Sequence, residues 1–296
     1  LDPVAAMEGV AGLDAVLANR LPDEVYLRAE RLKAVFVPFA GLNHLPAGLL
    51  AEKGVRVFNV HGNAEEVAER ALAMTLDFMG RVTEFHNDLK GELWHGFWVG
   101  KGSEDFWSSL FRRKVAVFGV GAIGQVLARL LKAFDCEVTG YRRRGDAPVP
   151  PNFDRIEGDL AAAVAGAELL FVTLPLTPET KGLFSRELLM GAKGKFLVNV
   201  GRGEVVDEEG LYLALKEGVL RGAAIDTWYT YPQGGAVRGA PSRYPIHGLP
   251  NVILSPHVAG SAHEAAAANA DQAIENIAEW LETGNCRREA DIRAMY

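Results

Sequence analysis

Lys114-Val-Ala-Val-Phe-Gly-Val-Gly-Ala-Ile-Gly124 reads as an apolar strand, a turn carrying three glycines and the mouth of a helix. Gly119 permits the tight turn, Gly121 lets a backbone come close to a pyrophosphate, and Gly124 lets helix pack on strand. The helix N-terminus, with Ala122 and Ile123 in its first turn, then faces the phosphates with free N–H groups and a favourable dipole. A glycine-rich structural turn is the alternative, but the next strand, Glu137–Tyr141, also falls where a dinucleotide-binding unit needs it. An acidic residue at the end of that strand would accept hydrogen bonds from the adenosine ribose of NAD. Here Arg142, Arg143 and Arg144 stand instead. Guanidinium groups bind a 2′-phosphate through charge-assisted bonds, so NADP(H) is the expected cofactor, with NAD(H) the alternative. A solvated basic turn would also account for the three arginines.

Working outward, apolar runs at Val115–Phe118, Glu137–Tyr141, Leu169–Leu174, Lys195–Val200, Gly222–Ile225 and Asn251–Leu254 alternate with helical stretches. That rhythm predicts a doubly wound parallel sheet of six strands. Upstream, residues 12–60 alternate strand and helix on a smaller scale. The spacing of Val67, Ala68, Ala71, Leu72, Met74, Thr75 and Phe78 predicts one long helix from Ala64 to about Lys90. The alanine-rich helix at 261–282 is expected to return to the first domain, making it discontinuous. The expected division is a substrate domain at 1–90 and 266–296 and a dinucleotide-binding domain at 91–265. Between them the irregular arm 91–114 carries Trp94, Phe97, Trp98, Phe106, Trp107 and Phe111. Such aromatics need burial, against the chain's own domains or another subunit. The subunit contact is preferred, which predicts a homodimer.

Composition sets limits. The 296 residues are enough for two cores, and 49% of them are hydrophobic, which leaves little room for disorder. A formal charge of −7 argues against a nucleic-acid partner, because no basic excess exists to release counterions. Cys136 and Cys286, the two cysteines, have neither metal-ligand spacing nor a disulfide pattern, so no metal and a reducing, cytoplasmic setting are expected. No apolar run is long enough to span a bilayer.

Seven ordered segments resemble the D-isomer-specific 2-hydroxyacid dehydrogenases. They are Phe39-Ala-Gly-Leu-Asn43, Asn63-Ala-Glu-Glu-Val-Ala-Glu69, the glycine turn, Leu174-Pro-Leu-Thr-Pro-Glu-Thr180, Val198-Asn-Val-Gly-Arg-Gly-Glu-Val-Val-Asp207, Ala223-Ala-Ile-Asp226 and Asn251-Val-Ile-Leu-Ser-Pro-His257. The resemblance implies an α/β protein: a Rossmann-type domain plus a smaller flavodoxin-like α/β substrate domain built from both chain ends. It also implies hydride transfer between nicotinamide and a small 2-oxo or 2-hydroxy acid of the glyoxylate or hydroxypyruvate type. By the same resemblance Arg202 binds the substrate's carboxylate and carbonyl oxygen, and His257 is the acid/base. Gly41 and Leu42 offer backbone N–H groups to the carboxylate, and Asn63 contacts substrate. Leu174, Pro175 and Val200 line the dinucleotide, and Asp226 lies near the nicotinamide carboxamide. A structural strand-end aspartate is the alternative for Asp226, and an ordinary helix N-cap the alternative for Asn63.

One departure stands out. Where the family often places a glutamate that orients its histidine, this chain has Tyr231. A phenol can hydrogen-bond an imidazole but does not supply the negative charge that raises its pKa. Reduction is therefore expected to need lower pH than in glutamate-bearing relatives, or the substrate needs no proton transfer. Formate oxidation and a non-catalytic dinucleotide-binding scaffold remain as alternative functions. The segment 232–251, longer than the family's usual link, carries Arg238, Arg243, Tyr244 and His247. It reads either as a solvated flap or as a chooser of substrate.

Overall fold

Val115, Val117, Val138, Leu170, Phe171, Leu197 and Val198 are all buried, as expected for strands covered on both faces. The computed structural model describes residues 9–96, 99, 102–143 and 148–294. Within them, β4 (Lys114–Phe118), β5 (Glu137–Tyr141), β6 (Arg155–Glu157), β7 (Leu169–Val172), β8 (Phe196–Asn199), β9 (Gly222–Ile225) and β10 (Val252–Leu254) form one parallel sheet. Its order is β10-β9-β8-β7-β4-β5-β6. Six strands were expected. The seventh, β6, is a three-residue edge strand, too short and too polar to show a period.

Helix α5 (Ala122–Lys132) buries Gly124, Leu127, Ala128 and Leu131, the stripe that a 3.6-residue period predicts. Val67, Ala68, Ala71 and Met74 of α3 (Ala64–Gly80) join the same cluster as Val115, Val117 and Leu127. Residues 65–90, expected with the terminal domain, therefore pack with the large unit, which comprises 65–174 and 179–260. Phe78 shows how closely they fit: its ring stacks on Phe196 at 4.1 Å, and a Cβ on Gly222 would enter it.

The expected long helix is two. Arg81 takes φ 53 and ends the first, and α4 (Val82–Lys90) starts anew. The Asp77 carboxylate accepts from Thr83 N (2.7 Å) and Thr83 Oγ1 (2.8 Å), which satisfies the new N-terminus.

The second unit holds the residues up to Ala64, Pro175–Pro178 and those from Ser261 onward, so it does draw on both ends of the chain. Its mixed sheet runs β1 (Ala15–Leu17), β2 (Ala34–Phe36), β3 (Arg56–Phe58) and β11 (Glu289–Ala290), the last antiparallel to β3. Strand alternation sends Val35 and Val57 to one core, with Leu42 and Leu50 of the loop after β2 and of α2 (Ala47–Glu52). It sends Ala34, Phe36 and Phe58 to the other, where Phe36 stacks on Phe58 at 5.1 Å and meets Trp280 of α9 (His263–Thr283) at 5.9 Å. Gly62 has no room for a side chain against the backbone of Ala268. No helix among the described residues is long and apolar enough to cross a membrane.

Candidate active site

The sheet order sets the expected site residues of the large unit in a row. His257 follows β10, Asp226 ends β9, Arg202 follows β8, Leu174 follows β7, the glycine turn follows β4 and Arg142 follows β5. All lie at the carboxyl ends of neighbouring parallel strands about 5 Å apart. Ligands of open α/β sheets gather along that edge, and the strand order reverses between β7 and β4.

At the glycine turn the geometry matches a dinucleotide. Gly119 has φ 109, a conformation L side chains rarely adopt, and a Cβ there would lie 2.8 Å from Thr173 Oγ1. A Cβ on Gly124 would collide with Gly119 O, whereas one on Gly121 would point into open space. Gly121 is the N-cap of α5 and no side chain caps the helix, so its first turn, with exposed Ala122 and half-buried Ile123, faces that space. A pyrophosphate therefore fits the residues present. Arg142 lies one residue beyond β5, with Nη2 donating to Pro148 O at 2.9 Å, and Arg143 beside it is exposed. Arg144 lies outside the described residues. Val200 is buried after β8.

The β8 turn is shaped by Asn199. Its Oδ1 accepts from Gly201 N (3.1 Å) and its Nδ2 donates to Arg202 O (3.0 Å). The Arg202 guanidinium folds back to donate to Gly201 O (2.7 Å). Burial lowers its pKa from the ordinary arginine value, against the opposing pull of Tyr231 and Glu204, but a guanidinium stays charged regardless.

His257 has φ 59, in the left-handed region that favours glycine. Asp226, 0% exposed, holds it there. Its Oδ1 accepts from Ser255 Oγ (2.5 Å) and Val258 N (3.0 Å), and its Oδ2 from Ala259 N (3.1 Å). Both oxygens are thus engaged by the turn around His257, whereas the resemblance assigns Asp226 to a carboxamide. Trp228 Nε1 donates to Ser255 O (2.8 Å) and Arg70 Nη2 to Ser255 Oγ (3.3 Å). Ser255, Trp228 and Arg70 escape a reading of motifs. Ser255 sits inside the Ser-Pro-His run and could have been found there, but Arg70, on a helix 185 positions away, carries no signal.

Tyr231 does meet His257, ring to ring at 5.3 Å. Its hydroxyl oxygen accepts from Trp228 N (2.9 Å), and burial, ahead of any charge, raises its pKa above 10.0, so the phenol stays neutral. The His257 imidazole reaches the surface, yet burial on its inner side and then the Arg202 charge push its pKa below 6.5, against a weaker pull from Asp226. Arg202 therefore acts electrostatically on both Tyr231 and His257.

In the smaller unit, Gly41 and Leu42 lie in the loop after β2, with the Leu42 side chain wholly buried. Asn43 Nδ2 donates to Leu176 O at 2.8 Å, which ties the loop to the segment following Pro175. Asn63 directly precedes α3. Cys136 and Cys286 are buried free thiols, and no metal-holding cluster occurs among the described residues.

Residues 72–259 match the model of the D-isomer specific 2-hydroxyacid dehydrogenase, NAD binding domain. The chain is 31% identical over 277 residues to a glyoxylate/hydroxypyruvate reductase B of Pectobacterium carotovorum, covering 93% of this chain and 82% of that protein. It is 32% identical over 270 residues to a glyoxylate/hydroxypyruvate reductase A of Arabidopsis thaliana, covering 90% and 78%. Among solved structures, an NADPH-dependent glyoxylate/hydroxypyruvate reductase of Sinorhizobium meliloti in complex with NADP and malonate superposes with a TM-score of 0.76. Its identity is 27%, over 95% of this chain and 84% of that one.

Proposed function

The chain belongs to the D-isomer specific 2-hydroxyacid dehydrogenases, and from that premise we propose that it reduces a small 2-oxo acid to the 2-hydroxy acid with NADPH as preferred cofactor. The observation that carries this reading is the row along the carboxyl edge: acid/base at β10, substrate arginine at β8, pyrophosphate turn at β4 and arginines at β5. The relatives of glyoxylate/hydroxypyruvate type point to the same substrate class.

When bound, the dinucleotide supplies the hydride. The chain's own residues do the rest. Arg202 pairs with the substrate carboxylate and polarises the carbonyl through its planar fork of donors. His257, protonated, gives its proton to the carbonyl oxygen as negative charge develops there. Tyr231 backs the imidazole without adding charge. Gly41 and Leu42 are assigned to the substrate carboxylate, Asn63 to a contact with the substrate, and Leu174, Pro175 and Val200 to the dinucleotide. For Asp226 the bonds to the turn support a role in holding His257. Arg142 and Arg143 would face a 2′-phosphate, and the NADP complex of the Sinorhizobium structure supports that preference.

The aromatic arm supports a homodimer, because Trp94, Phe106, Trp107 and Phe111 are 53–61% exposed in the single chain. Phe97 and Trp98 of that arm lie outside the described residues. Sedimentation at micromolar concentration distinguishes dimer from monomer. Buried free thiols accord with a reducing, cytoplasmic location.

The test is consumption of NADPH and NADH against glyoxylate and hydroxypyruvate, with formate oxidation in parallel. Oxo-acid turnover favouring NADPH is expected, whereas turnover of formate alone would overturn the proposal. Arg142→Asp should weaken NADPH binding about tenfold more than NADH binding, and equal losses would remove the cofactor assignment.

A further inference from the structure

Ser255, directly after β10 and 1% exposed, uses every polar function it has. Its backbone N–H donates to Ile225 O (2.9 Å), and its carbonyl accepts from Trp228 Nε1 (2.8 Å). Its hydroxyl faces the Asp226 carboxylate on one side and the Arg70 guanidinium on the other, with Nη2 at 3.3 Å and Nε at 3.4 Å. An ionised carboxylate only accepts and a guanidinium only donates, so the single hydroxyl hydrogen points to Asp226 Oδ1. The bonds therefore run one way, from Arg70 to Ser255 and from Ser255 to Asp226. Asp226 in turn takes the N–H groups of Val258 and Ala259, the two residues after His257.

A wholly buried carboxylate such as Asp226 is costly unless it is bonded and compensated. Ser255, Val258 and Ala259 give it neutral donors, and Arg70 brings a cation to the same network. Bonds in such a chain polarise one another, so a guanidinium at the outer end strengthens the Ser255–Asp226 bond beyond it. The helix that carries Arg70 is well anchored. Val67, Ala68, Ala71 and Met74 of α3 are buried in one cluster with Val115, Val117 and Leu127, and residues 70, 226 and 255–257 belong to one compact unit. Arg70 itself is exposed, so replacing it opens no cavity in that core.

We infer that Arg70 is a positioning residue: through the Ser255 hydroxyl its guanidinium orients Asp226, and so holds the turn that presents His257 to the substrate. This rests on the reading of the chain as a 2-oxo acid reductase with His257 as its acid. Arg70 takes no part in the hydride or proton transfer itself. Its two bonds lie at the long end of the hydrogen-bond range, so losing them loosens the turn without abolishing it. The expected effect is about tenfold in kcat, smaller than that of changing Asp226 itself.

The experiment measures kcat and KM for glyoxylate and hydroxypyruvate, with NADPH, in the wild type, Arg70→Met, Arg70→Lys, Ser255→Ala and the double variant Arg70→Met/Ser255→Ala. Methionine removes both donor and charge, whereas lysine keeps both. In Arg70→Met kcat should fall about tenfold with the KM values unmoved, and Arg70→Lys should recover most of the loss. In the Ser255→Ala background Arg70→Met should cost nothing further, because the link through the hydroxyl is already gone. A kcat equal to the wild type in Arg70→Met, or a further tenfold loss in the double variant, would overturn the proposal. So would a raised KM for the oxo acid with kcat kept, which would make Arg70 a substrate contact. The two Arg70 variants lie at an exposed position and decide the matter even where Ser255→Ala does not fold. A second readout needs no turnover. The imidazole proton resonances of His257, assigned by their loss in His257→Asn, should shift in Arg70→Met and return in Arg70→Lys. Oxo-acid turnover with those resonances unmoved sinks the role of Arg70 alone. Resonances that move as expected in a protein that reduces no oxo acid sink the reductase reading and keep the link from Arg70 to the turn.

Discussion

Two turns on the carboxyl edge of one sheet reach positive φ by opposite means. After β4 the residue is Gly119 at φ 109, and after β10 it is His257 at φ 59. Glycine has no Cβ to clash, so the first turn is free to form and its conformation is a property of the residue itself. Histidine does have one, and holding it in the left-handed region costs on the order of 1–3 kcal/mol unless the surroundings impose it. Asp226, with three bonds into residues 255–259, imposes it. One turn leaves open space at Gly121, which the proposed phosphate site needs. The other must present one imidazole and needs rigidity. A permissive turn can be read in its own residues, while an imposed turn lies in the residues that hold it.

The largest expected effect comes from His257→Asn. Asparagine tolerates the left-handed region, so the melting temperature should hold or rise, while kcat for reduction falls about 10³-fold for want of an acid. A fall in both would mean that histidine is itself needed for the turn. Next comes Asp226→Asn, which turns an amide N–H₂ toward Val258 N or Ala259 N, a donor against a donor. Denaturant titration should show a loss of about 1–3 kcal/mol. With His257 displaced, kcat should fall about 10²-fold, the KM for NADPH unmoved. A raised KM for NADPH with the kcat kept would place Asp226 on the nicotinamide instead. Smaller again is Gly119→Ala, where strain and the contact with Thr173 Oγ1 should cost about 1–2 kcal/mol. That cost should appear in dinucleotide affinity and leave kcat at saturation intact. An equal loss in kcat would erase the contrast between the turns.

The same distinction separates what was legible in the sequence from what was not. The glycine turn, the two-unit plan and the positions of Arg202 and His257 at strand ends follow from local patterns. The replacement of a glutamate by Tyr231 was legible too, though not the Trp228 amide that its oxygen takes. Asp226 was visible as a residue, but its bonds run 29 to 33 positions along the chain, and no local period encodes them. The helix break at Arg81 escaped because the apolar period continues through it while Asp77 caps the restart. Residues 65–90 were assigned to the wrong neighbour because a periodic helix declares its apolar face and not the core that receives it.

In the proposed reaction an imidazole held by Asp226, and lacking a carboxylate of its own, delivers the proton. Its most direct test is the pH dependence of kcat/KM for reduction in the wild type, Tyr231→Glu and His257→Asn. Burial and Arg202 depress the His257 pKa, so the protonated form is complete below that depressed value and is lost as the pH rises through it. The wild-type rate should therefore fall through a limb lying below 6.5, Tyr231→Glu should move that limb to higher pH, and His257→Asn should lack it. The same limb in all three proteins would contradict the account.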